Sequence, residues 1–190
     1  MIGDDFDKAS MTVAELQQNS RLLEKVLSGE PREIDTQKAL AIIKAGIEPD
    51  MLFERDNTLL LMAAYVASPV VVTALLENGA NPNIGNRWGE TPLHYAAKGL
   101  SLKSVEAMVK HGADIYARTQ EGETVETCAE KGNTTAFGAN PKDEVVAFVR
   151  DAIQKRITSD MNAALLREEV QNFTTRGCAT TAPVKPMKRL

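Results

Sequence analysis

Apolar residues recur at helical spacing along most of the chain. Val105, Met108 and Val109 follow the i, i+3, i+4 pattern of one helix face. Similar stripes occur near both ends of the chain: Leu16, Leu23 and Leu27, then Val145, Val146, Val149 and Ile153, then Met161, Leu165, Leu166 and Val170. The pattern predicts an all-α protein, with a break near Thr158 and Ser159 between the last two stripes.

Three glycines and three threonines repeat with a period of 33 residues. The glycines are Gly46, Gly79 and Gly112, and the threonines, each 12 residues later, are Thr58, Thr91 and Thr124. A fixed period of this size indicates stacked supersecondary units rather than one core wound from a single set of elements.

Within one unit, Thr91 and Pro92 are typical of a helix start, because the hydroxyl accepts from an orphan N–H and proline has no N–H to lose. Ala96 and Ala97 form a small pair that lets a neighbouring helix approach closely. We expect each periodic glycine to lie just past a helix with positive φ, where it has no Cβ penalty. The unit is therefore helix, turn, helix and loop.

The segment from Gly89 to Ala97, GETPLHYAA, followed by His111-Gly112-Ala113-Asp114, resembles the ankyrin repeat in period and in its Thr-Pro-Leu-His signature. The preceding unit keeps the glycine and an alanine pair but has Leu59 and Leu61 where the signature has proline and histidine. In the next unit an insertion at residues 134–141 delays the second helix. The resemblance spans roughly residues 36–150 and implies an ankyrin repeat solenoid of stacked helix-turn-helix units.

Both ends are predicted to be helical caps of this solenoid. Residues 1–46 form the N-terminal cap, whose first helix begins at a capping box, Thr12 to Glu15. Residues 47–158 hold the repeats, the last of them divergent, and residues 159–190 hold a C-terminal helix and a mobile tail that begins at Thr174. Terminal units of a solenoid are atypical because one face meets water.

Composition and charge argue against several classes of partner. The net charge is −4 and the isoelectric point about 5.3, so no basic field attracts nucleic acid or an anionic membrane. The acidic N-terminus is unlike a signal peptide, and no apolar run reaches membrane-spanning length. Cys128 and Cys178 are the only cysteines, and we expect two reduced thiols in a cytoplasmic protein.

Candidate catalytic chemistry is sparse. The sequence has two histidines, no phosphate-binding glycine loop and no clustered metal ligands, so we expect neither a cofactor nor a metal. The resemblance assigns His94 a structural hydrogen bond at the helix start, with Thr91 or loop backbone, and places Cys128 at a small apolar core position. An enzyme remains an alternative, built around Cys128 with Glu126, Glu130 and Asp143.

The family resemblance implies a protein-binding face made from the loop tips, called fingers, and the first helix of each repeat. Repeat register places nine residues on three fingers: Glu54, Arg55 and Asn57; Arg87, Trp88 and Glu90; and Gln120, Glu121 and Glu123. Five first-helix positions extend the face: Tyr65, Val66, Lys98, Glu130 and Lys131. Trp88, the only tryptophan, and Arg87 are the expected anchors, since Trp and Arg are enriched in interface hot spots. The alternative is that Trp88 folds back over the neighbouring finger.

The sequence therefore predicts a non-catalytic adaptor or inhibitor that binds a partner protein on a concave face. Three alternatives stay open: an effector that an intracellular bacterium delivers into a host cell, the small enzyme described above, and a self-associating protein. Self-association would use the helical stripe of residues 161–173.

Overall fold

The computed structural model describes residues 12–28, 35–132 and 141–177, with side-chain surroundings for 142–167 in the last range. Eight α-helices lie in these ranges: α1 Val13–Leu27, α2 Thr36–Ala45, α3 Leu59–Tyr65, α4 Pro69–Glu77, α5 Pro92–Lys98, α6 Leu102–Lys110, α7 Val125–Lys131 and α8 Pro141–Gly177. The described residues contain no strand, only one isolated bridge between Arg118 and Thr124. The all-α prediction is confirmed. The chain divides into two compact units, one ending at Arg150 and the other beginning at Asp151.

The periodic threonines begin the first helix of each repeat. Thr58 Oγ1 accepts from the N–H of Leu61 at 3.2 Å and caps α3. Thr124 caps α7 in the same way, accepting from the N–H of Thr127 at 3.2 Å, while Thr127 Oγ1 accepts in return from the N–H of Thr124 at 2.9 Å. Thr91 occupies the equivalent position before α5. Thr58 and Thr124 thus each satisfy a donor that the helix leaves unpaired.

The periodic glycines end the second helices. Gly46, Gly79 and Gly112 follow α2, α4 and α6 and have φ values of 108°, 90° and 84°. This left-handed backbone region is accessible to glycine without steric penalty. The prediction of three helix-terminating glycines is confirmed.

The first helices α3, α5 and α7 pack side by side, and the second helices α4 and α6 form a parallel row behind them. Helix α1 packs on α2 and α3, and α2 packs on α4, so these two helices extend both rows. Five alanines on the first helices are fully buried: Ala63, Ala64, Ala96, Ala97 and Ala129. Their small side chains allow the close helix approach that the sequence predicted.

Side chains in the loops tie each repeat to the next. Asp50 Oδ1 accepts from the N–H of Asn81 at 2.8 Å, and Asn83 Oδ1 accepts from the N–H of Asp114 at 2.7 Å. The two bonds are one period apart in the sequence. They fix the register between repeats, because a shifted register would leave both donors and acceptors without these partners.

The first turns of α8 lie against α7. Val145, Val146 and Val149 are buried, with exposures of 0%, 8% and 2%, and Arg150 forms ion pairs with Glu126 and Glu130 of α7. Burial of the three valines of the predicted stripe is confirmed, whereas Ile153, its fourth member, is only partly buried. Nine residues separate α7 from α8, whereas three separate α5 from α6, which agrees with the predicted delay of the last second helix.

The predicted break near Thr158 and Ser159 is wrong, because α8 continues through both residues to Gly177. Thr158 Oγ1 donates to the carbonyl of Gln154 at 2.9 Å, so the hydroxyl finds its acceptor within the helix itself. The ion pairs Lys155–Asp151 and Arg156–Asp160 have the i, i+4 spacing that supports a helix. Residues 174–177, assigned above to the tail, belong to this helix, and 178–190 lie outside the described residues.

Candidate functional site

Backbone hydrogen bonds join the three fingers at residues 54–57, 87–90 and 120–123. The N–H of Arg87 donates to the carbonyl of Arg55 at 3.2 Å, and the N–H of Gln120 donates to the carbonyl of Trp88 at 2.8 Å. The Gln120 side-chain Nε2 also donates to the carbonyl of Arg87 at 2.8 Å. These bonds hold the tips of successive fingers next to one another, so their side chains form one continuous row.

Each finger turns through a residue with positive φ. Gly89 and Gly122 have φ values of 75° and 80°. The first finger has Asp56 at the equivalent position, with φ 61°, after Arg55 with φ 63°. Left-handed conformations are strained for residues with a Cβ, so the surrounding contacts must hold this finger in place.

Two glycine substitutions separate backbone strain from steric contact. A Cβ at Gly79 meets no heavy atom within 4 Å, whereas a Cβ at Gly89 lies 3.2 Å from the Gln120 nitrogen of the next finger. We expect Gly79→Ala to lower the free energy of unfolding by about 1 kcal/mol from strain alone. Gly89→Ala should cost more, because it adds a close contact with a backbone that is hydrogen-bonded to Trp88. Urea denaturation of both variants measures the difference, and equal costs would contradict the close packing of the fingers.

Trp88 lies between the arginines of two fingers and remains 42% exposed. The guanidinium carbons of Arg55 and Arg87 lie 6.0 Å and 5.7 Å from the centroid of its ring. These distances are within the range of cation–π attraction. The ring thus contacts the preceding finger, as the fold-back alternative expects, and still presents surface to solvent.

Two tyrosines of the first helices continue the aromatic surface. The rings of Tyr65 and Tyr95 meet edge to face with centroids 5.9 Å apart. The Tyr95 hydroxyl donates to Glu90 Oε2 at 2.6 Å, and burial together with this carboxylate raises the pKa of Tyr95 well above its usual value. The sequence analysis did not single out Tyr95. The available signal was the repeat period. Tyr95 lies 33 residues after Met62, so the two residues occupy equivalent positions of successive repeats and are neighbours on this face.

A groove of about 370 Å³ lies beside Trp88. Its lining comes from the end of α1, the first finger and the exposed sides of α3 and α5: Leu27, Ser28, Arg55, Asn57, Leu61, Met62, Tyr65, Val66, Trp88 and Tyr95. A second depression of about 340 Å³ shares three of these residues and reaches the third finger: Arg55, Trp88, Glu90, Tyr95, Thr119, Glu121 and Glu123. Together the two cavities form a continuous recessed surface along the fingers and the first helices. We call this surface the finger face.

The predicted finger residues divide among these features. Arg55, Asn57 and Trp88 line the groove, and Glu90, Glu121 and Glu123 line the second depression. Arg87 contacts the Trp88 ring, whereas Glu54 and Gln120 are exposed and line neither cavity.

The five predicted first-helix positions also differ in whether they line the groove. Tyr65 and Val66 line the groove, but Lys98, Glu130 and Lys131 do not. Glu130 pairs with Arg150, and Lys131 pairs with Glu123, whose pKa it lowers.

His94 has the structural contact that the sequence predicted. It is 2% exposed, and its Nδ1 accepts from the N–H of Thr91 at 3.2 Å and lies 2.9 Å from Thr91 Oγ1. Burial lowers the pKa of His94, and backbone groups of Glu123 and Ala117 oppose the shift only in part. The imidazole is therefore a neutral part of the helix start.

Because the folded-state pKa of His94 lies below its ordinary value of 6.5, the unfolded chain binds the proton more tightly. We expect the free energy of unfolding to fall as the pH drops below about 6.5, and to be insensitive to this group above that pH. Chemical denaturation between pH 7.5 and 5.5 measures the slope. His94→Gln should reduce it. An unchanged slope in His94→Gln would refute the assignment.

Cys128 is a buried thiol without an activating base. It is 5% exposed, its Sγ lies 3.7 Å from Glu123 Oε2, and burial raises its pKa to about 11. Glu126 and Glu130 face Arg150 instead of the sulfur. Among the described residues, no three His, Cys, Asp or Glu side chains come close enough together to hold a metal ion. None of the described helices is both long and apolar enough to cross a membrane.

These features define a repeat solenoid with a recessed face and no assembled catalytic group among its described residues. A family model described as ankyrin repeats in three copies matches residues 14–135, which is well over half of the chain. The chain belongs to the ankyrin-repeat family. Ankyrin repeats are generally protein–protein interaction modules and typically have no enzymatic activity of their own.

Several known proteins share the repeat region. Ankyrin repeat and IBR domain-containing protein 1 of Homo sapiens is 37% identical over 83 residues, covering 44% of this chain and 8% of that protein. Ankyrin repeat and SOCS box protein 11 of Danio rerio is 36% identical over 83 residues, covering 44% and 28%. Palmitoyltransferase AKR1 of Candida glabrata is 29% identical over 97 residues, covering 50% and 13%. The chain spans only a small part of these relatives, so their activities belong to those proteins.

Proposed function

We propose that this chain is a non-catalytic adaptor or inhibitor that binds a partner protein on the concave face formed by its fingers and first helices. The observation that carries the proposal is the exposed Trp88 ring, held between Arg55 and Arg87 at the edge of the groove. Tryptophan and arginine dominate interface hot spots, and a recessed apolar surface gives such anchors a dry environment.

The buried state of Cys128 supports a binding role over catalysis. A thiol with a pKa near 11 is almost entirely protonated at neutral pH, and the thiolate is the nucleophile. The carboxylates considered with it, Glu126 and Glu130, are engaged by Arg150. The proposal places this function in the cytoplasm. The effector alternative depends on the composition of the C-terminal segment, whose last residues, 178–190, lie outside the described residues.

The binding role is tested by selecting ligands without assuming the partner. A displayed library of random peptides is panned on the intact chain, and the enriched peptides are measured by isothermal titration calorimetry. We expect Trp88→Ala to weaken their binding at least tenfold, corresponding to about 1.4 kcal/mol or more. Val70→Ala, which trims another exposed apolar residue on α4, should leave binding unchanged. If no peptide is enriched, or if both variants bind like the intact chain, the finger face is not the binding surface.

A second candidate function, self-association, is favoured by exposed apolar residues on α8. Ile157, Met161, Leu165 and Leu166 are 40% to 62% exposed and recur at helical spacing. Pairing of this stripe with a second copy would remove it from water. Light scattering at increasing concentration should show a dimer that Met161→Glu combined with Leu165→Glu abolishes and Ala163→Glu retains. A monomer at all concentrations would exclude this role.

A further inference from the structure

We propose that the groove beside Trp88 takes a short partner segment in which an apolar side chain is flanked by a carboxylate. The inference rests on the proposed binding function and adds the chemistry of the ligand. Two features of the groove carry it: an apolar floor and a pair of arginines without acidic partners.

The floor of the groove suits an aliphatic or aromatic anchor. Leu61 and Met62 of α3, and Val66 just past its end, contribute aliphatic surface, and the rings of Tyr65 and Trp88 form part of the lining. The flexible side chain of Met62 can adapt to ligands of different shape. Insertion of one apolar side chain would remove both its own surface and that of the groove floor from water, which favours binding.

The charge at the groove is positive and unpaired. Arg55 is the only charged residue among the described lining residues, and Arg87 lies beside the same tryptophan ring. Neither guanidinium has an ion pair or a hydrogen bond with a described residue, although Glu54 and Asp56 adjoin Arg55 in sequence. A guanidinium offers five N–H donors in a planar fork that matches a carboxylate. Both arginines therefore have donors available for an acidic ligand.

Of the three glutamates on the other side of Trp88, Glu90 and Glu123 are engaged within the protein, and Glu121 is exposed. Glu90 accepts from the Tyr95 hydroxyl at 2.6 Å and from Asn86 Nδ2 at 3.0 Å. Glu123 pairs with Lys131. A basic ligand would meet two unpaired guanidiniums at the groove and mostly satisfied carboxylates beyond it. Charge complementarity thus favours an acidic ligand at the groove over a basic one.

The test uses two synthetic peptides and the fluorescence of Trp88, the only tryptophan in the chain. In the first peptide aspartate alternates with leucine, and in the second lysine replaces every aspartate. Both are acetylated and amidated, so only their side-chain charges differ. We expect the acidic peptide to shift Trp88 emission and to bind about tenfold or more tightly than the basic peptide at low salt. Added salt should reduce this preference.

Variants then assign the preference to the two arginines. Arg55→Gln combined with Arg87→Gln should reduce the preference to about threefold or less, with the fold unchanged by circular dichroism. Lys103→Gln combined with Lys110→Gln removes the same charge from α6 and should retain the preference in full. A loss of equal size in both double variants would mean that net charge, not the arginine pair, attracts the peptide, and would overturn the proposal.

The remaining outcomes are equally decisive. Equal binding of both peptides, tighter binding of the basic peptide, or no shift in Trp88 emission with either peptide overturns the proposed ligand chemistry. If peptides selected from the random library still bind in a Trp88-dependent manner in those cases, the proposed binding function stands and only its acidic ligand is wrong. If the library yields no ligand either, both proposals fail.

Discussion

Deleting residues 143–190 is expected to cause aggregation or a loss of about 5 kcal/mol or more in the free energy of unfolding. The deletion removes Val145, Val146 and Val149, which are almost fully buried. Burial of one such side chain stabilises a protein by roughly 1.5 to 3 kcal/mol. The side of α7 that α8 covers would then be exposed, in a protein whose total stability is expected to be only about 5 to 15 kcal/mol.

A matched truncation isolates the contribution of the valines. Deleting residues 157–190 leaves these three side chains and Arg150 in place and removes the exposed apolar residues of α8 from Ile157 to Leu166. We expect thermal and urea unfolding of this truncation to resemble those of the intact chain. Similar stability of both truncations would show that the first turns of α8 are not a cap on α7.

Leu93→Ala is expected to lower the free energy of unfolding by about 2 to 5 kcal/mol. Leu93 is 1% exposed on α5, the helix that packs between α3 and α7. The cavity would therefore lie in the middle of the row of first helices, where neither neighbour can close it without losing its own contacts. Leu52→Ala is the control, because Leu52 is 52% exposed and its truncation should change stability by about 0.5 kcal/mol or less. Urea denaturation compares the two variants, and similar costs would contradict the buried position of Leu93.

The repeat architecture could be predicted because its signals are local. A threonine caps the helix that follows it, and a glycine ends the helix before it, so each acts over a few residues of sequence. Thr58 and Thr124 both cap as expected, and Gly79 and Gly112 both have positive φ. The period then placed these local signals in one register.

The continuity of α8 could not be predicted from the same kind of signal. Thr158 and Ser159 have lower helix propensity than alanine, but the difference is only about half a kcal/mol each. The two i, i+4 ion pairs, Lys155–Asp151 and Arg156–Asp160, act in favour of the helix. Weak propensities of this size predict a helix end only when a glycine or proline accompanies them.

The sequence could predict which residues belong to the candidate site, but not how their side chains are arranged. Register alone placed Arg55 and Trp88 at finger tips. It did not show that the guanidinium would lie 6.0 Å from the ring, because that contact joins residues 33 positions apart. Tyr95 was missed because its hydrogen bond to Glu90 depends on how the finger packs against α5, which the repeat register does not show.

The bonds between fingers have a consequence for how this protein can be altered. At Arg55, Arg87 and Trp88, the hydrogen bonds that join one finger to the next use the main-chain groups of these residues. Exchanging these side chains removes none of the main-chain bonds between fingers, provided that no residue is inserted or deleted. The ligand preference of the surface can therefore diverge between related chains, or be redesigned, while the scaffold beneath it stays the same.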